Sequence, residues 1–136
     1  MEKILNHYEM MLLAPVSVSD DVLDTAISQL QNVIVEDGGS LLALDKWGSQ
    51  MLAYEIRKNR MAKFFVIEYV ASASVPLELE RLVRLDTKTF LRFLTVALDK
   101  NVTTSIEDLK KGAADRITAR QNRETSFKQD KVRYDS

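Results

Sequence analysis

An α+β fold of element order βαββαβ is what this sequence predicts, and three observations carry the prediction. Four extended stretches rich in β-branched and aromatic residues alternate with two stretches whose apolar residues recur at helical spacing. The helical stretches follow the first and the third extended ones, the order of two split βαβ halves. The apolar patterning stops near Lys100, so a single core formed by residues 1–100 accounts for it, followed by a polar tail over residues 101–136.

The first strand is His7 to Ala14, which sets Tyr8, Met10 and Leu12 on one face before Pro15 removes a ladder donor. Ser19 is placed to cap the helix that follows, with Asp20 and Asp21 at its positive end. Leu23, Ala26, Ile27, Leu30, Val33 and Ile34 form its apolar stripe until Gly38-Gly39 stops it. A second extended stretch starts near Ser40 and runs through Met51 to Ile56, with Gly48 suited to a bulge. Arg57-Lys58-Asn59-Arg60 reads as a charged turn into a third strand from Lys63 to Val70. Pro76 opens a short second helix with Leu79, Leu82 and Val83 as its stripe, ending near Leu85. Phe90 to Leu98 reads as the fourth strand, with Phe90, Arg92, Leu94, Val96 and Leu98 on one side.

Right-handed crossovers fold this order into a four-stranded antiparallel sheet with both helices on one face, the ferredoxin-like arrangement, leaving the other face available. Beyond Lys100 the chain turns polar and mixed in charge, a partly helical or disordered extension. Ser105 with Asp108 is a capping-box pattern, and Ile106, Leu109, Ala113 and Ile117 form a thin stripe behind it.

Composition removes several kinds of chemistry. There is no cysteine, which excludes thiol nucleophiles, disulfides and thiolate metal sites, and the one histidine, His7, cannot assemble a His-rich site within one chain. No apolar run approaches the roughly 20 residues of a membrane span, and no apolar leader is visible. The paired glycines follow a helix instead of opening one, so they make no phosphate-cradling loop. Asp20, Asp21, Glu78 and Glu80 stand where helix starts and solvated faces want carboxylates. The expectation is a protein without cofactor, metal, small-molecule substrate or catalytic residue.

With a net charge of −1, attraction to nucleic acid has to come from local clustering of cations. Lys46, Arg57, Lys58, Arg60, Lys63, Arg84, Lys88 and Arg92 form such a set, and Trp47 and Tyr54 add aromatic surface for a base or a protein partner. Taken alone, the charged set reads more readily as a solvated turn and rim, and the aromatics as the amphipathic edge of a core.

Asp45-Lys46-Trp47-Gly48, followed by Met51-Leu52-Ala53-Tyr54-Glu55-Ile56-Arg57-Lys58, resembles the bacterial-type small-subunit ribosomal protein six family, whose motif is an acidic residue, Trp-Gly, a basic pair, then Leu-Ala-Tyr-x-Ile. His7-Tyr8-Glu9, the aromatic strand Phe64 to Tyr69, Arg84-Leu85-Asp86 and Leu91-Arg92-Phe93 with Val96 resemble further family positions, so the likeness runs from about His7 to Lys100. It implies a non-catalytic, rRNA-binding ribosomal protein of ferredoxin-like fold, paired with small-subunit ribosomal protein eighteen on the central domain of the small-subunit rRNA. The implied location is the ribosome, in the cytoplasm or in an organelle. The chain departs from the family where Ser49 and Gln50 replace the usual basic pair, Met51 takes a polar position and Glu55 a frequent proline.

Two other readings compete. A free-standing single-strand RNA binder of the RNA-recognition-motif kind shares the fold, but Ala62-Lys63-Phe64-Phe65 lacks the required Gly and Glu68 occupies an aromatic position. A ferredoxin-like oligomeric metabolite-sensing or small enzyme domain is the alternative from another class; fold does not distinguish it, and no clustered site supports it.

Overall fold

The structure is a computed structural model and describes residues 4–135, with side chains as far as residue 122. Its elements are β1 (Asn6–Pro15), α1 (Asp20–Glu36), β2 (Ser40–Ile56), β3 (Asn59–Ala71), α2 (Val75–Leu85), β4 (Arg92–Asp99) and α3 (Ile106–Asp135). The strands make one sheet in the order β2-β3-β1-β4 with every neighbour antiparallel. This is the ferredoxin-like arrangement.

Alternation along the strands decides which side chains meet the helices. Tyr8, Met10, Leu12 and Ala14 of β1 and Phe65, Ile67, Tyr69 and Ala71 of β3 share one face. They pack with Leu23, Ala26, Ile27, Leu30 and Ile34 of α1 and Val75, Leu79 and Val83 of α2. The helix ends follow from local chemistry. Ser19 Oγ accepts from the Val22 amide at 3.3 Å, and Asp20 and Asp21 lie in the first turn of α1. After α1 the chain turns through Gly38 at φ +93°, and a Cβ on Gly39 would stand 2.1 Å from the Val70 carbonyl oxygen, so the entry to β2 needs a residue without one.

The β2–β3 hairpin is longer than the sequence pattern predicts, because its turn is only two residues. Arg57 and Lys58 lie at φ 48° and 67°, the doubly left-handed geometry of a type I′ turn, which is usually supplied by Asn-Gly. The Asn59 side chain holds the turn by donating to the Ile56 and Arg57 carbonyls at 3.2 and 3.1 Å. Asn59 and Arg60, expected in the turn, therefore begin β3. Near its base β2 shifts register between Leu41 and Ala43 and again between Lys46 and Gly48, where Gly48 sits at φ +76°.

At the other edge β4 begins at Arg92. Phe90 and Leu91, expected to open this strand, lie in the α2–β4 connection: Phe90 is buried in the helix-side core, and Leu91 joins Ile56 and Ala62 in a second apolar cluster with Leu13, Leu52 and Phe64. The cluster seats the hairpin tip against that connection.

Residues Met1–Thr103 and Thr104–Ser136 form two compact units. In the first, the Val102 amide donates to the Leu5 carbonyl at 2.7 Å and the Asn101 amide to Asn6 Oδ1 at 2.9 Å, tying the segment after β4 to the start of β1. In the second, Ser105 Oγ accepts from the Asp108 amide at 3.2 Å and caps α3, a single helix where the sequence predicts a partly helical or disordered tail.

Candidate nucleic-acid interface

Eight cations and two aromatics define the surface that the sequence singles out, and their partners separate them into engaged and unengaged groups. Lys46, on the helix side of β2, places Nζ 3.2 Å from Asp24 of α1. Lys63 donates from Nζ to the Val18 carbonyl at 2.7 Å and to Asp20 at 3.1 Å, with its side chain only 20% exposed. Arg60 pairs with Glu55 across the hairpin at 3.0 Å. Each of these charges faces a carboxylate, although the exposed pairs contribute little and yield readily to a phosphate.

Arg57 is engaged differently. Its guanidinium donates to the carbonyls of Thr87, Phe90 and Leu91 at 3.0, 3.4 and 3.5 Å. A left-handed non-glycine residue costs roughly 1–2 kcal/mol, and these bonds help to offset that cost at the turn. The result is a latch: the hairpin tip is held against the α2–β4 connection, and the cations of both segments gather at one end of the sheet.

Lys58 at the tip, Lys88 in the connection and Arg92 at the start of β4 have no ion-pair or hydrogen-bond partner among the described residues. Arg84, in the last turn of α2, lies over the Phe93 ring, its guanidinium carbon 5.4 Å from the ring centroid. By contrast Arg81, one turn earlier, is held by Glu78 at 2.5 and 3.0 Å, and those bonds keep the Glu78 carboxyl below its ordinary range. Within the eight candidate cations, unneutralised charge thus falls on Lys58, Arg84, Lys88 and Arg92.

Of the aromatics, Trp47 is half-buried on the sheet face away from the helices. Its indole N–H donates to Asp45 Oδ2 at 2.8 Å and its ring stacks on Phe64 with centroids 6.3 Å apart, so it braces the bulged part of β2. Tyr54 is 72% exposed near the hairpin tip, where Met51 and Met61 are exposed as well. Met51 and Met61 are cross-strand partners, a juxtaposition that becomes visible only once the hairpin register is known.

A cavity of about 290 Å³ lies beside the latch, lined by Arg57, Arg84, Arg92, Phe90, Phe93 and neighbouring apolar groups. Spacing along the chain gives no sign of it, since Arg57 reaches its wall through a contact thirty residues away. Among the described residues no group of three His, Asp or Glu side chains is placed to hold a metal, and no helix is long and apolar enough to cross a membrane.

A family model described as ribosomal protein S6 matches residues 7–97. The small ribosomal subunit protein bS6 of Desulfatibacillum aliphaticivorans is 29% identical over 98 residues, which cover 72% of this chain and 52% of that one. The chain therefore spans about half the length of this relative. The bS6 of Acidothermus cellulolyticus is 35% identical over 82 residues, 60% of this chain and 85% of that one. Among solved structures, 30S ribosomal protein S6 from Thermotoga maritima superposes with a TM-score of 0.63 at 21% identity, covering 82% of this chain and 97% of that one, a likeness of fold.

Proposed function

Because the chain belongs to the ribosomal protein S6 family, we propose that it is a structural constituent of the small ribosomal subunit that binds the central domain of the small-subunit rRNA together with small-subunit ribosomal protein eighteen. Its role is non-catalytic and its place is the ribosome. The observation that supports RNA contact is the gathering of Lys58, Arg84, Lys88 and Arg92, which lack carboxylate partners, at the end of the sheet where Arg57 latches the hairpin.

Phosphate neutralisation by a few such cations gives affinity that falls steeply as salt rises. A chain of net charge −1 adds little long-range attraction of its own, so a partner protein supplies much of the positive field and the RNA meets a joint surface. The exposed side chains of Met51, Met61 and Tyr54 on the hairpin offer that partner apolar contact area. Phosphate contacts position the protein, and sequence selectivity comes from unpaired bases and from RNA shape.

The test is purification of the tagged chain from its own cells at low and high salt, with the RNA and proteins in the eluate identified. Small-subunit rRNA should be recovered with protein eighteen, and the RNA should leave first as salt rises. Elution as a bare homo-oligomer, with no ribosomal material at low salt, would overturn the reading and favour an oligomeric metabolite-sensing domain.

A further inference from the structure

Two of the cavities among the described residues are shallow and similar in size, and their linings are opposite in character. One, of about 320 Å³ along α1, is lined by Asp21 and Asp86 with Thr25, Gln29 and Thr89, a wall that repels anions. The other, beside the Arg57 latch, carries three guanidinium groups and no carboxylate. A phosphate group alone leaves most of its 290 Å³ unfilled, and the remaining wall is apolar and aromatic: Val83, Phe90, Leu91 and Phe93. Charge for an anion combined with a flat apolar wall is the chemistry that recognises a nucleotide.

The arginines have distinct capacities. Arg57 has five N–H donors and directs three bonds to backbone carbonyls, leaving donors for a phosphate oxygen without breaking the latch. Arg92 has no partner among the described residues. Arg84 lies over the Phe93 ring, and its guanidinium, planar by delocalisation, presents a surface of the kind that stacks on bases. We propose that this cavity receives a single unpaired nucleotide of an RNA strand, its phosphate on Arg92 and Arg57 and its base on the Arg84–Phe93 stack. The inference rests on the RNA-binding reading above and assigns the part of the RNA that this site takes. A base held within a duplex cannot reach the stack, so the site selects single-stranded or bulged RNA.

The experiment measures binding of the full chain, alone and with its co-purified partner, to three probes at low ionic strength: a labelled single-stranded oligoribonucleotide, a fully paired RNA of the same length, and adenosine monophosphate. Amide shifts of residues 84–93 are followed alongside. The single strand should bind more tightly than the paired RNA and shift those amides. Arg84→Ala should weaken single-strand binding roughly tenfold or more while changing paired-RNA binding by about twofold at most. Arg84→Lys, which keeps the charge and loses the planar stack, should stay weakened. Full recovery of affinity in Arg84→Lys would overturn the stacking assignment and leave a simple phosphate contact. Adenosine monophosphate binding as tightly as the strand would overturn the assignment to RNA. Paired RNA binding well with the Arg84 variants unaffected defeats the cavity proposal alone, whereas failure of every RNA probe, with and without the partner, defeats the RNA-binding reading as well.

Discussion

Lys63 Nζ donates to the carbonyl oxygen of Val18 at 2.7 Å, joining the middle of β3 to the loop that opens α1. With Asp20 as its second partner and most of its side chain covered, Lys63 ties strand to helix before it can serve any ligand. Lys63→Ala should lower folding stability by about 1–3 kcal/mol, the range for a hydrogen bond to a charged group, and should leave the salt dependence of RNA binding nearly unchanged. Urea denaturation alongside a salt titration of RNA affinity checks both parts. A flatter salt dependence with unchanged stability would make Lys63 a phosphate contact.

Lys58 gives the opposite pair of signs. It holds a left-handed backbone that glycine adopts freely, and it carries one of the unpartnered charges. Lys58→Gly is expected to stabilise the fold by about 0.5–1 kcal/mol and to weaken RNA binding together, with a salt slope shallower by about one phosphate contact. Thermal melts and binding isotherms on the same preparation separate the two effects.

Tyr69 is fully buried and its hydroxyl has no hydrogen-bond partner among the described residues. Burial, then the nearby Tyr8 hydroxyl and the charge of Glu80, pushes its ionisation above the ordinary value of 10.0. Ionisation is therefore easier in the unfolded chain, so the protonated phenol favours folding below about pH 10 and that contribution is lost as the pH rises beyond it. Tyr69→Phe should be neutral or stabilising by about 1 kcal/mol at pH 7, since no bond is lost and an unsatisfied group is removed. Its stability should also fall less than the parent's between pH 9 and pH 11, read by denaturant unfolding at each pH. A loss of more than about 2 kcal/mol at neutral pH would reveal a partner for the hydroxyl.

The segment after β4 belongs with the sheet through the bonds from Val102 to Leu5 and from Asn101 to Asn6. A chain cut after Thr103 should accordingly be more stable than one cut after Lys100, by about 1–3 kcal/mol for two hydrogen bonds. Equal melting temperatures for the two truncations would show that these bonds contribute nothing.

Much of this is readable in the residues themselves. The stripe of α1, its Ser19 cap and the β1 face of Tyr8, Met10 and Leu12 follow from periods of 3.6 and 2, and together with two further strands and a second helix they fix the fold. Local pattern fails where distant contacts decide. Phe90 and Leu91 read as strand because apolar residues there suit either a ladder or a packed connection, and the contacts that choose come from α1, α2 and the hairpin. The two-residue turn is hidden because Arg57-Lys58 lacks the usual Asn-Gly signal and is held by Asn59 and by carbonyls thirty residues away. For the same reason, composition does not tell which cations are unengaged: the partners of Lys46 and Lys63 lie in α1 and its preceding loop, far back in the sequence.

The strand order also sets a schedule for folding. β1 is made first, yet one edge pairs with β3, as in Asn6 with Ala71, and the other with β4, as in His7 with Asp99. Both ladders close large loops, and such non-local pairings are slow to form. During synthesis β1 emerges with two open edges, gains its first neighbour after β3 has left the ribosome, and keeps a bare edge until β4 follows. A nascent chain stalled before β4 would therefore present an unsatisfied strand to other chains, and the last ladder to close is also the one that completes the shelter of the first strand made.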